Sequence, residues 1–303
     1  MKISRATLHP YEQHLSEKIM RRGVWLRLEN EDGDIGVGES APWPGFGDGA
    51  KAWDFAVETA FLELSLRCSL VGAVREPPDK TLVPVHALVS SVDEALIAYS
   101  QGIRTFKIKV GRGALDEDAR LLHALREALG NDVALWVDAN GVWTAEEALH
   151  ALRTFDTANI ALAEQPVAHD DLAGMRWLRE RVDMKIAADE SVVTPGGFLR
   201  LLEMGAADVI VLKPMFLGGL SVTTDMARKA IAAGFEITIT HALESSIGRH
   251  AAACVAASLD VPLLPCGFLG PLLEIPQVSP LVVDGMLDVE SLYTPFDPIE
   301  RVG

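Results

Sequence analysis

Cysteine is scarce in this sequence, and the few cysteines are not spaced as disulfide partners. Cys68, Cys254 and Cys266 are the three cysteines among 303 residues, and each lies in an apolar stretch. Isolated cysteines in apolar surroundings are typical of reduced thiols, whereas disulfide-stabilised secreted domains carry paired cysteines. The cysteine pattern therefore favours a cytoplasmic protein.

Positive charge is also in deficit, and long apolar runs are absent. The 27 lysines and arginines stand against 43 aspartates and glutamates, which gives a formal net charge of −16. Nucleic acids and anionic membranes bind cationic surfaces, so this balance argues against both as partners. No apolar run reaches the length of a membrane span, and the first residues lack the basic-then-apolar pattern of a signal peptide. We expect a small-molecule carboxylate as the partner, and the sequence indicates no particular oligomeric state.

What the chain does contain is a repeated pattern of short apolar runs that each end in a charged residue. The pattern extends from residue 107 to residue 213, and a helical pattern follows nearly every run. The charged residues are Lys107 and Lys109, Asp138, Glu164, Asp189 and Lys213. Parallel strands that alternate with helices have this appearance, and the carboxyl ends of barrel strands carry the active site in such folds.

The repeat predicts an α/β protein with a (β/α)7β barrel of the TIM type over residues 83–271. Residues 1–82 do not follow the repeat, and three strand-like segments with one amphipathic helix at 49–70 predict an α+β capping domain. The eighth barrel strand is expected at residues 261–266. The proline-containing tail, about 272–303, is expected to return over the capping domain.

Three of the charged residues are carboxylates at successive strand ends, Asp138, Glu164 and Asp189. Their negative charges repel one another unless a cation lies between them. Hard oxygen ligands without histidine or cysteine suit Mg²⁺, and Mn²⁺ is a plausible substitute. A single aspartate at a strand end is more often a helix cap, but three in register favour a metal site. The neighbouring Asn140 and Glu190 are expected to support the ligands.

Lysines are expected on both sides of these carboxylates. Lys107 and Lys109 are two apart on one strand, so both point into the barrel, and their repulsion is expected to lower the pKa of one or both. A lysine with a lowered pKa is a usable general base near neutral pH, and Lys213 faces the pair across the mouth. His241 is the rival base, although a hydrogen-bonded strand-end histidine is the favoured interpretation because the sixth strand ends in a lysine rather than in an orienting carboxylate. Together these residues indicate proton abstraction next to a carboxylate.

Five short motifs of the barrel resemble the enolase superfamily, and within it the muconate-lactonizing subgroup. They are residues 105–111, 137–140, 163–166, 188–191 and 212–214. Two further stretches, residues 38–46 and 243–248, are most similar to the o-succinylbenzoate synthases of this subgroup. The resemblance covers essentially the whole chain, because the first 80 residues resemble the capping domain of the superfamily.

The resemblance implies a Mg²⁺-dependent dehydratase that converts 2-succinyl-6-hydroxy-2,4-cyclohexadiene-1-carboxylate to o-succinylbenzoate in menaquinone biosynthesis. It implies that Lys109 removes the α-proton, that Lys213 stabilises the enediolate, and that Lys107 is the third catalytic lysine. The residues expected to contact the substrate are Trp43, Ser245, Ser246 and Gly267. The subgroup often has serine near the position of His241, so a differently shaped site is expected there.

Two other interpretations stay open. An N-acyl amino acid racemase, or another muconate-lactonizing-type member, uses the same two-lysine arrangement. The dipeptide epimerases of the superfamily carry Asp-x-Asp on the eighth strand to hold a substrate ammonium, and residues 265–269 contain no carboxylate, which argues against such a substrate. A non-catalytic binding barrel is the other interpretation, and the complete set of six charged residues argues against it.

Overall fold

The computed structural model describes residues 2–14, 20–43, 46, 49–66, 82–194, 196–259, 261–270, 280–293 and 297–298. An antiparallel sheet comes first, with strands β1 (Ile3–His14), β2 (Met20–Asn30) and β3 (Ile35–Ser40) in sequence order. Helix α1 (Gly49–Leu66) packs on β3. These elements confirm the predicted three-stranded meander and its helix, and they are called the cap below.

Two glycines of β3 explain how closely α1 lies on the sheet. A Cβ atom added to Gly38 would lie 1.8 Å from the carbonyl oxygen of Ala56, and one added to Gly36 would lie 2.1 Å from that of Ala60. Glycine is the residue that permits such a close approach of two backbones. Any side chain at either position would force the helix away from the strand.

Eight parallel strands follow and close into a barrel. They are β4 (Leu82–Leu88), β5 (Thr105–Lys109), β6 (Ala134–Asp138), β7 (Ile160–Glu164), β8 (Lys185–Ala188), β9 (Val209–Leu212), β10 (Glu236–Ile239) and β11 (Cys266–Leu269). Each strand from β4 to β10 pairs with the next, and β11 pairs with β4. A bridge between Thr240 and Gly267 joins β10 to β11 and completes the circle. The predicted barrel is therefore confirmed.

Helices follow the strands and cover the barrel. They are α2 (Val92–Ser100), α3 (Leu115–Leu129), α4 (Ala145–Phe155), α5 (Leu172–Arg179), α6 (Glu190–Val193), α7 (Gly197–Met204), α8 (Pro214–Leu217), α9 (Leu220–Ala232) and α10 (Ser246–Ser258), with 3-10 turns at Asp156–Ala158 and Val289–Leu292. Thr144 and Glu147 form a capping box that begins α4, because each side chain accepts the backbone N–H of the other. Among the described helices, none is long and apolar enough to cross a membrane.

Alternation along the strands determines which side chains enter the barrel. The register pairs Lys107 with Trp136 and Lys109 with Asp138, so these four side chains share the inward face. Towards the amino ends of the strands the interior is apolar. That part of the interior is the cluster of Trp136, Leu162, Ala187, Val209 and Val211. Because this part of the interior is apolar, the charged residues lie at the carboxyl ends of the strands.

The eighth strand begins later than predicted. It was expected at residues 261–266, whereas pairing with β4 begins at Cys266 and ends at Leu269. Pro262 and Pro265 have no N–H to donate to a ladder, which explains the delay. The shift brings Gly267 into the strand and next to the barrel interior.

The carboxyl-terminal tail contains a hairpin that the sequence did not predict. Strands β12 (Leu281–Val283) and β13 (Met286–Asp288) pair with each other, and β13 pairs with the amino-terminal half of β4. The tail also reaches the cap, because Asp297 accepts a hydrogen bond of 2.9 Å from Nε of Arg27. The tail therefore connects the first barrel strand to the cap.

The predicted boundaries between the parts fall largely outside the described residues. The boundary near residue 82 follows residues 67–81, and the start of the tail near residue 272 falls in residues 271–279, neither of which is described. Cys68 lies in the first of these segments, whereas Cys254 and Cys266 are buried free thiols. The domain limits of 1–82, 83–271 and 272–303 stay predictions.

Glu39, near the end of β3, joins the cap to the barrel. Its carboxylate accepts hydrogen bonds from the backbone N–H of Ser245 at 2.9 Å and of Gly248 at 3.0 Å, at the start of α10. It also accepts the hydroxyl protons of Tyr11 and Ser245. A carboxylate is stabilised at a helix N-terminus because the first N–H groups lack partners within the helix.

Arg21 makes a second connection between the cap and the barrel. Its guanidinium donates to the carbonyl oxygens of Ala41 and Pro42 in the cap. It also donates to the carbonyl oxygens of Ala242 and Leu243, which lie between β10 and α10. The side chain is buried, so these carbonyl groups replace the water that the charge has lost.

Glu244 is a second buried carboxylate beside Glu39. Its Oε2 accepts the backbone N–H of Ala242, and its Oε1 has no hydrogen-bond partner among the described residues. Burial, with repulsion from Glu39, raises the pKa of Glu244 to about 7. The contact between the cap and the barrel therefore lies next to Glu244, a carboxyl group with a raised pKa.

Replacing Glu244 with glutamine is expected to change how stability depends on pH. In the unfolded chain this carboxyl ionises near its ordinary pKa of 4.5, whereas the native protein retains the proton up to about pH 7. The native state therefore binds more protons between these values, and the group lowers stability as pH rises. We expect the free energy of unfolding of Glu244→Gln, relative to the unchanged protein, to rise by about 2–3 kcal/mol from pH 5 to pH 8.

Urea unfolding at the two pH values measures this difference. The exposed Glu127 provides the control, because Glu127→Gln removes a carboxyl from the surface and is expected to leave the pH dependence unchanged. A Glu244→Gln difference that is the same at pH 5 and pH 8 contradicts the prediction.

Candidate active site

Two lysines and two carboxylates form one side of the site, at the carboxyl ends of β5, β6 and β7. Nζ of Lys107 lies 3.0 Å from Oε1 and 3.1 Å from Oε2 of Glu164, and 3.4 Å from Oδ2 of Asp138. Nζ of Lys109 lies 2.5 Å from the same oxygen of Asp138. Of the two lysines, Lys109 is the more accessible, with 27% of its side chain exposed against 10% for Lys107.

Lys213 and Asp189 form the opposite side. Lys213 follows β9, which lies four strands away from β5 in the barrel. Its Nζ lies 2.5 Å from Oδ2 of Asp189. The same Nζ lies 5.0 Å from the ring centre of Phe46, which belongs to the cap, within the range of a cation–π interaction. The cap therefore contacts the charged cluster directly.

Asn140 connects the two sides through hydrogen bonds. Its Oδ1 accepts from Nζ of Lys109 at 2.9 Å, and its Nδ2 donates to Oε1 of Glu190 at 3.0 Å. Its backbone N–H donates to Oδ1 of Asp138 at 3.1 Å. Asn140 has a φ of 50°, a left-handed conformation that asparagine tolerates better than most residues. These contacts put Asn140 and Glu190 around the predicted metal ligands.

The pKa of Lys107 is raised, so the lowering expected for one or both lysines of this strand does not occur at Lys107. Burial acts to lower this pKa, but the carboxylates of Glu164 and Asp138 outweigh burial. The pKa of Lys213 is raised for the same reason, since its own carboxylate neighbours outweigh burial. The lysines have closer contacts with carboxylates than the sequence could indicate, so Lys107 and Lys213 are held as ammonium ions here.

The carboxylates outnumber the ammonium groups by four to three. Burial and the neighbouring Asp138 raise the pKa of Glu164 to about 8, and burial and Asp189 raise that of Glu190 to about 7. Oδ1 of Asp189 and Oε2 of Glu190 are buried without a hydrogen-bond partner among the described residues. The unpartnered oxygens, and the raised pKa values that reflect mutual repulsion among the carboxylates, fit a hard divalent cation.

The ligands are not arranged around a preformed metal position. Within the described part of the chain, no three histidine, cysteine, aspartate or glutamate side chains form a metal-binding group. The contacts explain this, because the ammonium groups of Lys107, Lys109 and Lys213 lie against the carboxylates. The donor chemistry fits the ion, and binding requires these lysine contacts to lengthen.

A cavity of about 520 Å³ opens over the cluster. The predicted site residues that line it are Trp43, Lys107, Lys109, Asp138, Asn140, Glu164, Glu190, Lys213 and Gly267. Phe46 and Phe216 also line it, and their rings lie 5.1 Å apart. A cavity of this size accommodates a small organic molecule.

Ser245 and Ser246 were predicted to contact substrate, and neither lines this cavity. The hydroxyl of Ser245 donates to Glu39 and accepts a hydrogen bond of 3.4 Å from the indole N–H of Trp25. Both serines are buried, with 0% and 3% exposure. Ser245 instead joins the cap to α10 through its hydrogen bond to Glu39. The sequence could not indicate this contact, because Glu39 is distant from Ser245 along the chain.

His241 lines the cavity but has a backbone partner. Its Nδ1 accepts the N–H of Leu243 at 3.1 Å. Burial and the cation of Arg249 hold the pKa of His241 well below its usual range. The ring is neutral, in agreement with the interpretation of a hydrogen-bonded strand-end histidine.

Two residues that the sequence did not single out also line the cavity, His86 on β4 and Thr240 after β10. Both occupy inward positions, since His86 is two residues before Leu88, which pairs with Lys107. The alternation along β4 could have identified the position of His86. No sequence motif indicated a functional role for His86.

Comparisons with known proteins agree with the fold. The chain is 39% identical over 160 residues to L-Ala-D/L-Glu epimerase of Bacillus subtilis (strain 168), a match that spans 52% of this chain and 44% of that enzyme. It is 33% identical over 256 residues to o-succinylbenzoate synthase of Thermobifida fusca (strain YX), which spans 82% of this chain and 74% of that enzyme. A second o-succinylbenzoate synthase, an N-succinyl-L-Arg/Lys racemase and a muconate cycloisomerase are further relatives.

The same epimerase of Bacillus subtilis has been solved as a substrate-liganded complex. It superposes with a TM-score of 0.80 at 26% identity, over 95% of this chain and 96% of that chain. The family described as enolase C-terminal domain-like matches residues 90–293. That range begins within the first barrel unit and includes all six charged residues. The chain therefore belongs to the enolase C-terminal domain-like family, as its motifs predicted.

Proposed function

We propose that the protein is a Mg²⁺-dependent dehydratase that converts 2-succinyl-6-hydroxy-2,4-cyclohexadiene-1-carboxylate to o-succinylbenzoate in menaquinone biosynthesis. The observation that carries the proposal is the pair of lysines, Lys109 and Lys213, on opposite sides of one cavity that Asp138 and Glu164 also line. The synthase of Thermobifida fusca supports the choice of reaction, because its match extends over 82% of the chain against 52% for the epimerase.

Asp138, Glu164 and Asp189 are proposed to hold Mg²⁺, for which Mn²⁺ can substitute. When bound, the ion supplies positive charge that acidifies the α-proton of a substrate carboxylate. The unpartnered Oδ1 of Asp189 is the observation that favours a cation here. Asn140 and Glu190 would keep the ligands in position through their hydrogen bond.

Lys109 is proposed to carry the proton. Once its contact with Asp138 is released and its ammonium has given a proton to solvent, the resulting amine removes the α-proton of the substrate. The electron pair of the C–H bond forms the new ring double bond, and the C–O bond to the hydroxyl breaks. The ammonium of Lys109 then gives its proton to the departing hydroxyl, which leaves as water on the same face.

Lys213 is proposed to stabilise the enediolate from the opposite side with its positive charge. The ring of Phe46 lies against this ammonium and, with Trp43, covers the cavity from the cap. A covered site excludes water and strengthens the attraction between the ammonium and the developing negative charge. Lys107, which contacts both Glu164 and Asp138, would hold these two carboxyl groups in place.

A racemase of N-acyl amino acids is the second candidate. The two opposed lysines favour it, because racemisation needs a proton donor on each face of the substrate. An epimerase that acts on a free ammonium is less compatible with the site, since the inward position on β11 is Gly267 and its neighbours in the strand, Cys266 and Phe268, are buried and uncharged.

Asp189→Asn is expected to weaken Mg²⁺ binding at least about tenfold, because an amide supplies no negative charge to the ion. Isothermal titration calorimetry with MgCl₂ measures the affinity. Asp132→Asn is the matched control, since this exposed residue lies just before the amino end of β6, away from the site. An affinity that is unchanged in Asp189→Asn rules out the proposed ligand set.

Lys109→Ala is expected to lower kcat for dehydration on the order of a thousandfold, because general base catalysis contributes about 10²–10⁴. His241→Asn is expected to cost far less, since His241 is hydrogen-bonded to Leu243 and neutral. Steady-state kinetics on the cyclohexadiene substrate compares the two variants. An inactive His241→Asn together with an active Lys109→Ala excludes lysine as the base.

Arginine at the two lysine positions separates the dehydratase from the racemase. Arginine keeps the charge but is a very poor acid–base group at neutral pH. For a dehydratase, Lys213→Arg is expected to retain measurable exchange of the α-proton with solvent deuterium, whereas Lys109→Arg retains none. NMR on a stable analogue with an α-proton measures the exchange. Equal loss in both variants, with turnover of N-acyl amino acids by the unchanged protein, favours the racemase.

A further inference from the structure

His86 and Thr240 put polar groups at the point where the barrel closes. His86 lies on the first barrel strand, and Thr240 forms the bridge to Gly267 that joins β10 and β11. Both side chains are almost completely buried, with 2% and 5% exposure, and both line the cavity. They do not belong to the charged cluster.

These polar atoms have no hydrogen-bond partner among the residues that the structure describes. Nδ1 and Nε2 of His86 and Oγ1 of Thr240 are buried without a hydrogen bond to any described residue. A buried polar atom that stays unpaired destabilises the native state, so such atoms nearly always form hydrogen bonds with a ligand or an ordered water. Three unpaired atoms around one cavity wall indicate that a bound group completes them.

Gly267 keeps the space between the two side chains open. A Cβ atom at this position would lie 2.9 Å from Nε2 of His86 and 2.8 Å from Cγ2 of Thr240. Nε2 of His86 and the methyl group of Thr240 thus both lie beside this position. A larger residue at position 267 would fill this space and close it off from the cavity.

The wall formed by these residues is uncharged. Burial and the nearby Lys107 hold the pKa of His86 well below its usual range, so the ring is neutral. A neutral imidazole donates from one nitrogen and accepts at the other, and the hydroxyl of Thr240 can donate as well. The ring of Trp136, whose centre lies 5.3 Å away, packs against the imidazole. The cavity therefore has a charged side for a carboxylate and a neutral side for a different group.

From this geometry we infer that His86 and Thr240 bind an acyl carbonyl oxygen of the substrate. Neutral donors recognise a neutral acceptor, whereas a second carboxylate would be desolvated there while the nearby ammonium of Lys107 is already paired with Glu164 and Asp138. In the substrate proposed above, this oxygen is the ketone of the succinyl arm, so the inference rests on the proposed function. His86 and Thr240 act as positioning residues that orient the ring for proton removal.

Two ligands that differ only at this oxygen test the inference. One is o-succinylbenzoate, and the other is 2-(3-carboxypropyl)benzoate, in which a methylene replaces the ketone. Calorimetry in the presence of Mg²⁺ is expected to show that the unchanged protein prefers the ketone ligand by about fivefold to tenfold, the size expected for one buried hydrogen bond.

His86→Phe and Thr240→Val retain the shape of each side chain and remove its polar atoms. Each is expected to reduce the preference and to leave the affinity for the methylene ligand within about twofold, because that ligand makes no bond to lose. Thr223→Val is the matched control, since Thr223 is buried in α9 outside the cavity, and it is expected to keep the preference. If His86→Phe does not fold, Thr240→Val provides the test alone.

The outcomes separate this inference from the proposed function. If the unchanged protein binds both ligands equally, or if the variants keep its preference, the inference is wrong while the proposed function stands. If the unchanged protein binds neither ligand and does not convert the cyclohexadiene substrate, the proposed function fails first. In turnover, the inferred role is expected to appear as a higher KM in Thr240→Val, with the pH profile of kcat unchanged.

Discussion

The buried charge at the carboxyl end of the barrel is the constraint on which the rest of the structure depends. Four carboxyl groups and three lysine ammonium groups lie together there, where water cannot stabilise their charges fully; Asp138, Glu164 and Glu190 line the cavity, and Asp189 lies behind it against Lys213. The lysines neutralise most of this charge, and Oδ1 of Asp189 is left without a hydrogen-bond partner among the described residues. Buried carboxyl and ammonium groups whose charges must offset one another can bind a cation and can exchange protons.

The cap covers these buried charges, and its attachment to the barrel determines how it does so. Glu39 and Arg21 bind backbone groups at the start of α10 and in the loop before it, and they do so from buried positions. The cap is thereby placed so that Phe46 lies against the ammonium of Lys213. Phe46 and Lys213 are thus brought together by contacts that lie outside the cavity.

Much of the fold could be predicted from the sequence, because the barrel is built from local signals. Each apolar run ends in a polar residue and precedes a helical pattern, which located seven strands near their observed positions. The eighth strand was misplaced, since Pro262 and Pro265 interrupt an apolar segment whose pairing depends on β4. The hairpin of the tail was missed for a similar reason, because its partner strand lies about 200 residues earlier in the chain.

The sequence by itself determined which charged residues lie together, because parallel strands end at one edge and side chains alternate along them. Only the tertiary structure decided what each group touches. Lys107 is paired with Glu164 and its pKa rises, whereas spacing on its own strand indicated a lowered value. Ser245 is bound to Glu39, and His86 faces the cavity without a hydrogen-bond partner among the described residues. Protonation and partners depend on distances between residues that are far apart in the chain, and no local pattern contains those distances.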